Sequence, residues 1–222
     1  FHSEDQGELD KRKKYIKRGD PKSHPIWRNE SVCFKCTKQL VKLANATKKD
    51  IHILHITTAE EIELLNKNKK YISYEVTPQH LALSSPSCYN KLGTLAQMNP
   101  AIRSSKHQNR LRKALKNNEI DIIGSDHAPH TLSEKKQKYP DSPSGMPGVQ
   151  TLMPLLLNEV SKKTISITNV VELTSFNPIK RFKVKDKGLI KEGYDADFTF
   201  VDLSMTKKIS NKLIQSKCGW TP

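Results

Sequence analysis

Histidine and aspartate side chains that are able to bind a metal ion occur in three separate places in this sequence. His2 stands close to two acidic residues, His55 follows a short apolar run, and Asp126 and His127 precede His130 in a Ser-Asp-His-Ala-Pro-His stretch. Neutral imidazole and carboxylate groups are ligands of Zn²⁺, and bound zinc lowers the pKa of water to about 7, low enough for attack on an amide at neutral pH. These residue types indicate hydrolytic metal chemistry.

Each candidate also has an ordinary structural interpretation. A single histidine at the end of a strand more often forms a structural hydrogen bond than a metal bond, and His2 lies at a chain end, where disorder is common. Asp126 is the stronger candidate, because ionisable groups on a loop after a strand need either a function or solvent. Cys33 and Cys36 have redox or zinc spacing, but they fall within a predicted helix and no second pair exists, so we interpret them as structural.

The candidate residues follow the strands of an alternating helix and strand pattern. Apolar residues recur at helical spacing over residues 29–46, a Thr-x-x-Glu capping box at Thr58 predicts the start of a second helix, and Ser104 or Ser105 is a suitable cap for a third. The predicted strands are residues 51–54, 71–76 and 120–123. Such alternation is typical of parallel βαβ units, in either a doubly wound sheet or a TIM-type barrel.

Two long predicted loops, residues 77–103 and 127–147, are candidates for binding a ligand, because loops of this length inside a domain are usually functional or disordered. The second contains Ser144 and Gly145 within a Gly/Pro-rich run that is expected to leave backbone N–H groups free for a small ligand. In the first, Asn99 is able to exchange hydrogen bonds with amide and carboxylate groups, although asparagine before proline is also an ordinary turn.

The last part of the chain differs in pattern from the rest. Gly188 and Gly193 separate short segments there, and aromatic residues alternate with others over residues 198–201, which predicts a strand. We therefore expect a small β-rich region after about residue 180.

Composition restricts the class of protein further. The chain of 222 residues is 35% hydrophobic, which is typical of a globular protein, and its formal net charge is +15. Such a charge favours nucleic acid or anionic surfaces, but lysine is scattered along the chain without the interleaved aromatic residues that stack on bases. The absence of a signal peptide, of a disulfide framework and of a long apolar run predicts a cytoplasmic protein that is not inserted in a membrane.

Several motifs resemble, in the same order, those of the dihydroorotases of the amidohydrolase superfamily, and the resemblance covers essentially the whole chain. The most specific is Gly-Ser-Asp-His-Ala-Pro-His at residues 124–130, and one departure is Gln79, which stands where the family commonly has histidine. The other matching segments are residues 1–5, 54–58, 75–81, 99–103, 144–148, 192–197 and 216–222.

The resemblance implies the C-terminal half of a TIM-type (β/α)8 barrel, with barrel strands five to eight in residues 1–180 and part of a small β-rich domain in residues 181–222. It implies a centre of two zinc ions, with His2 and His55 as ligands of one ion and Asp126 as ligand of the other and as proton shuttle. The residues that it implies for substrate binding are Asn99, His130, Ser144 and Gly145. No His-x-His pair occurs in this sequence, so each zinc ion lacks part of its expected ligand set.

The implied activity is hydrolysis or closure of a cyclic amide, which interconverts dihydroorotate and carbamoyl aspartate in pyrimidine biosynthesis. The segments at residues 99–103 and 216–222 favour dihydroorotate over allantoin or hydantoins. The expected partners are the small-molecule substrate and either a separate N-terminal half or further copies of the chain. The alternatives are an inactive truncated remnant and a basic module that binds nucleic acid.

Overall fold

A three-stranded parallel sheet forms the centre of the protein, in a computed structural model that describes residues 1–222. The strands are β1 (Ile51–Ile53), β2 (Ile72–Val76) and β3 (Ile122–Ile123), in the order β1-β2-β3. Ile51 lies opposite Ile72 and Val76 lies opposite Ile123. All three strands were predicted, and β3 is shorter than expected.

Eleven α-helices surround the sheet, of which α3, α7 and α9 are the longest. They are α1 (Gln6–Arg12), α2 (His24–Trp27), α3 (Glu30–Thr47), α4 (Ala59–Asn66), α5 (Pro78–Ala82), α6 (Ser87–Leu92), α7 (Ser105–Lys116), α8 (Leu132–Lys135), α9 (Val149–Ser161), α10 (Ile167–Val171) and α11 (Asn177–Phe182). A π-helical turn, Glu172–Phe176, joins α10 to α11, and 3-10 turns occur at Lys13–Tyr15, Pro21–Ser23, Gly93–Ala96 and Asn211–Leu213. None of these helices is both long enough and apolar enough to cross a bilayer.

The two faces of β2 differ in polarity. Ile72, Tyr74 and Val76 are buried and belong to the main hydrophobic core, together with residues of α3, α4 and α7. Ser73 and Glu75 point to the opposite face, because successive side chains of a strand alternate. The apolar face therefore fixes the sheet against its helices, and the other face is left with polar groups.

The helices predicted around the first two strands are confirmed. Thr58 accepts a hydrogen bond from the backbone N–H of Glu61, and the Glu61 carboxylate accepts one from the N–H of Thr58, so the capping box starts α4 as expected. Ser104 is at the cap position of α7, but its side chain makes no capping hydrogen bond. Cys33 and Cys36 both lie in α3 as free thiols, in agreement with a structural role.

Phe1 extends the sheet beyond β1 through its backbone. Its amino group donates to the carbonyl oxygen of His52 at 2.7 Å, and its carbonyl oxygen accepts from the N–H of Leu54 at 3.0 Å. These two bonds have the pattern of a parallel ladder opposite Ile53. Four strands were expected in residues 1–180, whereas three form, and Phe1 occupies the position of the remaining one. His2 is therefore held beside the end of β1.

The predicted strand at residues 198–201 does not form, and no strand occurs after β3. Phe198 and Phe200 are 57% and 94% exposed. A strand requires a neighbour that pairs with its backbone groups, and no segment of this chain pairs with residues 198–201. Alternation of side chains was therefore insufficient to form a strand here.

Both segments that were predicted as long loops contain short helices. The first holds α5 and α6, and α5 begins where the Thr77 hydroxyl accepts from the N–H of His80, with Pro78 in the first helical position. The second holds α8. Helices of four to six residues span less than two turns, which is too short for a helical period to be recognised in the sequence.

Stability is expected to fall on acidification because His24 and His80 are buried and neutral. Burial lowers the pKa of each to about 4 from an ordinary value of 6.5. Between these values the unfolded chain binds more protons than the native protein, so the free energy of unfolding decreases as the pH falls from 6.5 to 4. Each histidine contributes up to about 1.4 kcal/mol per pH unit. Urea unfolding at pH 7, 6 and 5 measures the slope, and an unchanged slope in His24→Gln would exclude His24 as its source.

Candidate functional site

His2 and His55 meet beyond the end of β1. The Nδ1 atom of His2 lies 3.1 Å from the Nε2 atom of His55, and the two rings meet edge to face with centroids 4.8 Å apart. His2 is placed by the backbone pairing of Phe1, and His55 is the second residue after β1. The structure therefore brings together two of the predicted metal ligands, 53 residues apart in sequence.

Glu4 and Arg28 fix the orientation of His2. The Nε2 atom of His2 is 2.9 Å from Oε2 of Glu4, and a guanidinium nitrogen of Arg28 donates to the same oxygen. Burial raises the pKa of Glu4, but the hydrogen bond from His2 and the charge of Arg28 outweigh it, so the pKa is lowered overall. A carboxylate partner makes Nε2 the protonated nitrogen of neutral His2, and the Nδ1 lone pair then faces His55.

The histidine pair fits two positions around one zinc ion. Two nitrogens bound at about 2.0–2.1 Å in tetrahedral geometry lie about 3.3 Å apart, close to the observed 3.1 Å. Burial, followed by the charge of His2, lowers the pKa of His55 to about 3, so the ring is neutral, as a metal ligand must be. The buried Nδ1 of His55 has no hydrogen-bond partner.

Asp126 is the third residue after β3. Burial and the negative charge of Glu75 raise its pKa, and the charge of His2 lowers it, with a net rise. Asp126 does not join the histidines in one cluster, since no three His, Cys, Asp or Glu side chains converge in a geometry that would hold a single ion. The structure therefore pairs His2 with His55 and leaves Asp126 as a separate, neighbouring group.

His55 and Asp126 share an unusual backbone conformation, with φ of +36° and +42°. The other non-glycine residues with positive φ lie after helices or in the C-terminal part, at Lys48, Asn118, Lys163, Lys183 and Asp186. Such a conformation costs of the order of 1–3 kcal/mol and is concentrated at functional sites. The strain at two strand ends supports a functional role for both side chains.

Further polar groups lie near Asp126 on the polar face of the sheet, opposite the hydrophobic core. Glu75 of β2 accepts a hydrogen bond from His52 of β1 at 3.1 Å, and the other ring nitrogen of His52 lies 2.8 Å from the Ser73 hydroxyl. The Glu75 carboxylate passes so close to Gly124 that a Cβ atom there would lie 2.4 Å from Oε1. Because any side chain at residue 124 would collide with Glu75, the position requires glycine. The Glu75 carboxylate is thereby able to lie close enough to Asp126 to raise its pKa.

Asn99 has an available polar atom, since its Oδ1 is buried and has no hydrogen-bond partner within the protein. His130 is fixed through Nε2, which lies 3.2 Å from the carbonyl oxygen of Ser144. The two residues belong to the two segments that were predicted as ligand-binding loops.

The expectation of free backbone N–H groups is wrong for Gly145. Its N–H donates to the carbonyl oxygen of Gln97 at 2.9 Å, and its carbonyl oxygen accepts from Lys135 at 3.1 Å. Gly145 has φ of +142°, and a Cβ atom there would lie 2.5 Å from Cβ of Ala128 and 3.1 Å from a ring carbon of His130. Gly145 therefore permits close packing against His130. The Ser144 hydroxyl accepts from the Gln97 amide at 3.2 Å.

Trp220 joins the C-terminal segment to this site. Its side chain is 1% exposed, and its indole N–H donates to the carbonyl oxygen of His130 at 2.8 Å. It belongs to a second hydrophobic cluster that connects both ligand-loop segments to the end of the chain, formed by Cys88, Tyr89, Ala96, Met98, Ile102, Met146, Cys218 and Trp220. Residues 218–220 therefore pack beneath the site.

The residues that support the site were only weakly indicated by the sequence pattern. Glu4 lies within a matching motif, and a carboxylate two residues after a candidate ligand was the available signal. Arg28 and Lys135 are isolated from the motifs and resemble ordinary surface charges. Their roles depend on contacts between residues far apart in the sequence.

The parallel sheet, with polar side chains beyond the carboxyl ends of its strands, has the arrangement of part of an α/β barrel. The Amidohydrolase family matches residues 4–220, so the chain belongs to the amidohydrolase family. Proteins of this family are generally metal-dependent.

Curated relatives and solved structures agree with this assignment. A dihydroorotase of Methanosphaera stadtmanae is 34% identical over all of this chain and 52% of its own length, and one of Archaeoglobus fulgidus is 37% identical over 94% of this chain and 48% of its own length. The L-hydantoinase of Arthrobacter aurescens shares the fold, with a TM-score of 0.87, 24% identity and coverage of 95% of this chain and 49% of its own. The chain spans about half the length of these relatives.

Proposed function

We propose that this chain carries part of the active site of a dihydroorotase-type hydrolase, which cleaves or closes the C–N bond of a cyclic amide. The observation that carries the proposal is the pair of His2 Nδ1 and His55 Nε2, 3.1 Å apart at the end of β1, with Glu4 bound to the other nitrogen of His2. The dihydroorotase names of the archaeal relatives support the choice of dihydroorotate and carbamoyl aspartate as substrates.

His2 and His55 would hold one zinc ion, and Asp126 would belong to a second. Zinc supplies Lewis-acid chemistry, because it polarises a carbonyl oxygen and lowers the pKa of water to about 7. The Asp126 carboxylate accepts a proton from the attacking water and passes it to the ring nitrogen that leaves. Burial and Glu75 raise the pKa of Asp126, which makes it a better proton acceptor than an exposed aspartate.

The substrate carboxylate would be held between the two ligand-loop segments. The ring of His130, held through Nε2 by the Ser144 carbonyl, would line the place of the carboxylate, and the Asn99 side chain would exchange hydrogen bonds with the substrate through the amide whose Oδ1 is unpartnered. Ser144 and Gly145 shape the wall beside His130. Ring closure requires both ends of a flexible chain to be restrained, and two such contacts provide that restraint.

We also propose a cytoplasmic protein in which residues 1–180 form the C-terminal half of the barrel and residues 181–222 form part of a small domain. In this proposal a further polypeptide, either an N-terminal half or another copy of the chain, completes the metal site. The outer edge of β3 pairs with no strand, and His2, His55 and Asp126 alone do not form a complete ligand set. Both features suit assembly with a partner.

Zinc binding tests the proposed site without requiring turnover. Equilibrium dialysis against Zn²⁺ at pH 7.5 is expected to show binding that is lost in His55→Ala and weakened about 10–100-fold in Glu4→Ala, because Glu4 orients His2. His107→Gln is the control, since His107 is a buried histidine of α7 that accepts from the N–H of Ala59. Equal zinc binding by the wild type and His55→Ala would contradict the proposal and favour an inactive remnant.

A further inference from the structure

Asn99 lies in a segment whose backbone carbonyls are held by three buried basic side chains. Lys135 donates to the carbonyl oxygen of Gln97 at 3.0 Å. The Nε2 atom of His24 lies 2.9 Å from the carbonyl oxygen of Met98, and the Nε2 atom of His80 lies 3.0 Å from that of Pro100. These carbonyls precede and follow Asn99, so the backbone is fixed on both sides of it.

Lys135 also fixes the opposite wall. Its ammonium group donates to the carbonyl oxygens of Pro143 at 2.7 Å and of Gly145 at 3.1 Å, in addition to that of Gln97. The side chain is fully buried, and none of its hydrogen-bond partners is a carboxylate. A buried ammonium is costly unless its three donors are satisfied, and three carbonyls of two different loops satisfy them here.

The two histidines suit this role because they remain neutral. Burial lowers the pKa of His24 and of His80 to about 4, so at neutral pH each ring has one N–H to donate and adds no charge. The Nδ1 atom of His80 lies 2.8 Å from the Thr77 hydroxyl, which orients the ring toward Pro100. With the backbone fixed in this way, the buried Oδ1 of Asn99 is left without a partner.

We infer that Lys135, His24 and His80 are positioning residues that hold Asn99 in place for an anionic, amide-containing ligand. The three side chains, here called the carbonyl clamp, join the segment at residues 97–100 to that at residues 143–145 as one rigid wall. Preorganisation of this kind removes the entropy cost of ordering the loops when the ligand binds. The inference rests on the proposed function only for the identity of the ligand.

Hydrogen exchange of backbone amides tests the clamp without a ligand. The N–H of Gly145 donates to the carbonyl of Gln97, which Lys135 also contacts, so its exchange reports on the junction directly. In Lys135→Met we expect exchange at Gly145 to be at least tenfold faster, with unchanged exchange in β2. The matched control is Lys136→Met, since Lys136 is the exposed neighbour. Unchanged exchange at Gly145 in Lys135→Met overturns the inference.

Ligand binding separates positioning from a general loss of stability. With dihydroorotate as the probe in isothermal titration, Lys135→Met is expected to weaken binding about tenfold in the wild-type background and less than twofold in the Asn99→Ala background. If Lys135→Met weakens binding equally in both backgrounds, Lys135 does not act through Asn99 and the inference is overturned. His80→Leu, which removes the donor toward the Pro100 carbonyl, is used in the same cycle if Lys135→Met does not fold. If exchange at Gly145 is faster in Lys135→Met but the wild type does not bind dihydroorotate, the inference about the carbonyl clamp stands and the proposed function is contradicted.

Discussion

When the chain is combined with the N-terminal half of a related dihydroorotase, replacement of Asp126 by asparagine is expected to lower the rate of dihydroorotate hydrolysis by about 100- to 10,000-fold, the range that general acid–base catalysis contributes. Asparagine has nearly the same shape as aspartate but is unable to accept a proton from water at neutral pH. Asp126 is half-buried beside Glu75, and both conditions raise its pKa. The expected loss is therefore in kcat, with a smaller effect on KM.

Asp121→Asn is the matched control for this experiment. Asp121 precedes β3, whereas Asp126 follows it, and its carboxylate contacts Lys69 and the N–H of Tyr74 at the other end of the sheet. The rate of this variant is expected to stay within about threefold of the wild type, because surface ion pairs contribute little. Equal losses in the two variants would indicate a general defect in folding and would contradict the role of Asp126.

Replacement of Trp220 by alanine is expected to lower the free energy of unfolding by about 3–5 kcal/mol, the usual range for a buried tryptophan. Trp220 fills the second hydrophobic cluster, and its indole N–H satisfies the carbonyl of His130. The variant loses apolar contacts and leaves a polar group without its partner. His130 loses the contact that fixes its backbone, so dihydroorotate binding is expected to weaken as well.

Urea denaturation provides the measurement, with the other tryptophan of the chain as control. Trp27 is only partly buried and donates to the carbonyl of Leu9, so Trp27→Ala is expected to cost less. Trp220→Phe retains most of the ring and removes the hydrogen bond, which separates packing from hydrogen bonding. A cost for Trp220→Ala no larger than that for Trp27→Ala would show that the C-terminal segment does not anchor the site.

The sequence was sufficient to predict the central part of the fold because its signals there are local. The helical period before β1, the capping box at Thr58 and the runs of β-branched residues each determine structure within about ten residues. The placement of His55 and Asp126 after strands followed from these elements. The pairing of His2 with His55 was implied by the resemblance to dihydroorotases.

The features that were missed depend on contacts between distant segments. Lys135 and Lys136 are adjacent in a charged run, and nothing in that run indicates that the first is buried and the second exposed. Trp220 belongs to a core that forms only when both loop segments are in place. Conversely, Phe198 and Phe200 have the alternation of a strand but lack a partner strand. Local pattern determines element type, whereas burial and pairing depend on the whole fold.

Hydrolysis of dihydroorotate by the assembled site tests directly whether this chain carries part of a dihydroorotase active site. The chain is purified and assayed with Zn²⁺, alone and mixed with the N-terminal half of a related dihydroorotase that supplies the remaining ligands. Turnover is expected in the mixture, with little or none from either half alone, and it is expected to be lost when the mixture contains His55→Ala. Absence of turnover in the mixture, with both halves folded and associated, would contradict the assignment of this site to dihydroorotate hydrolysis.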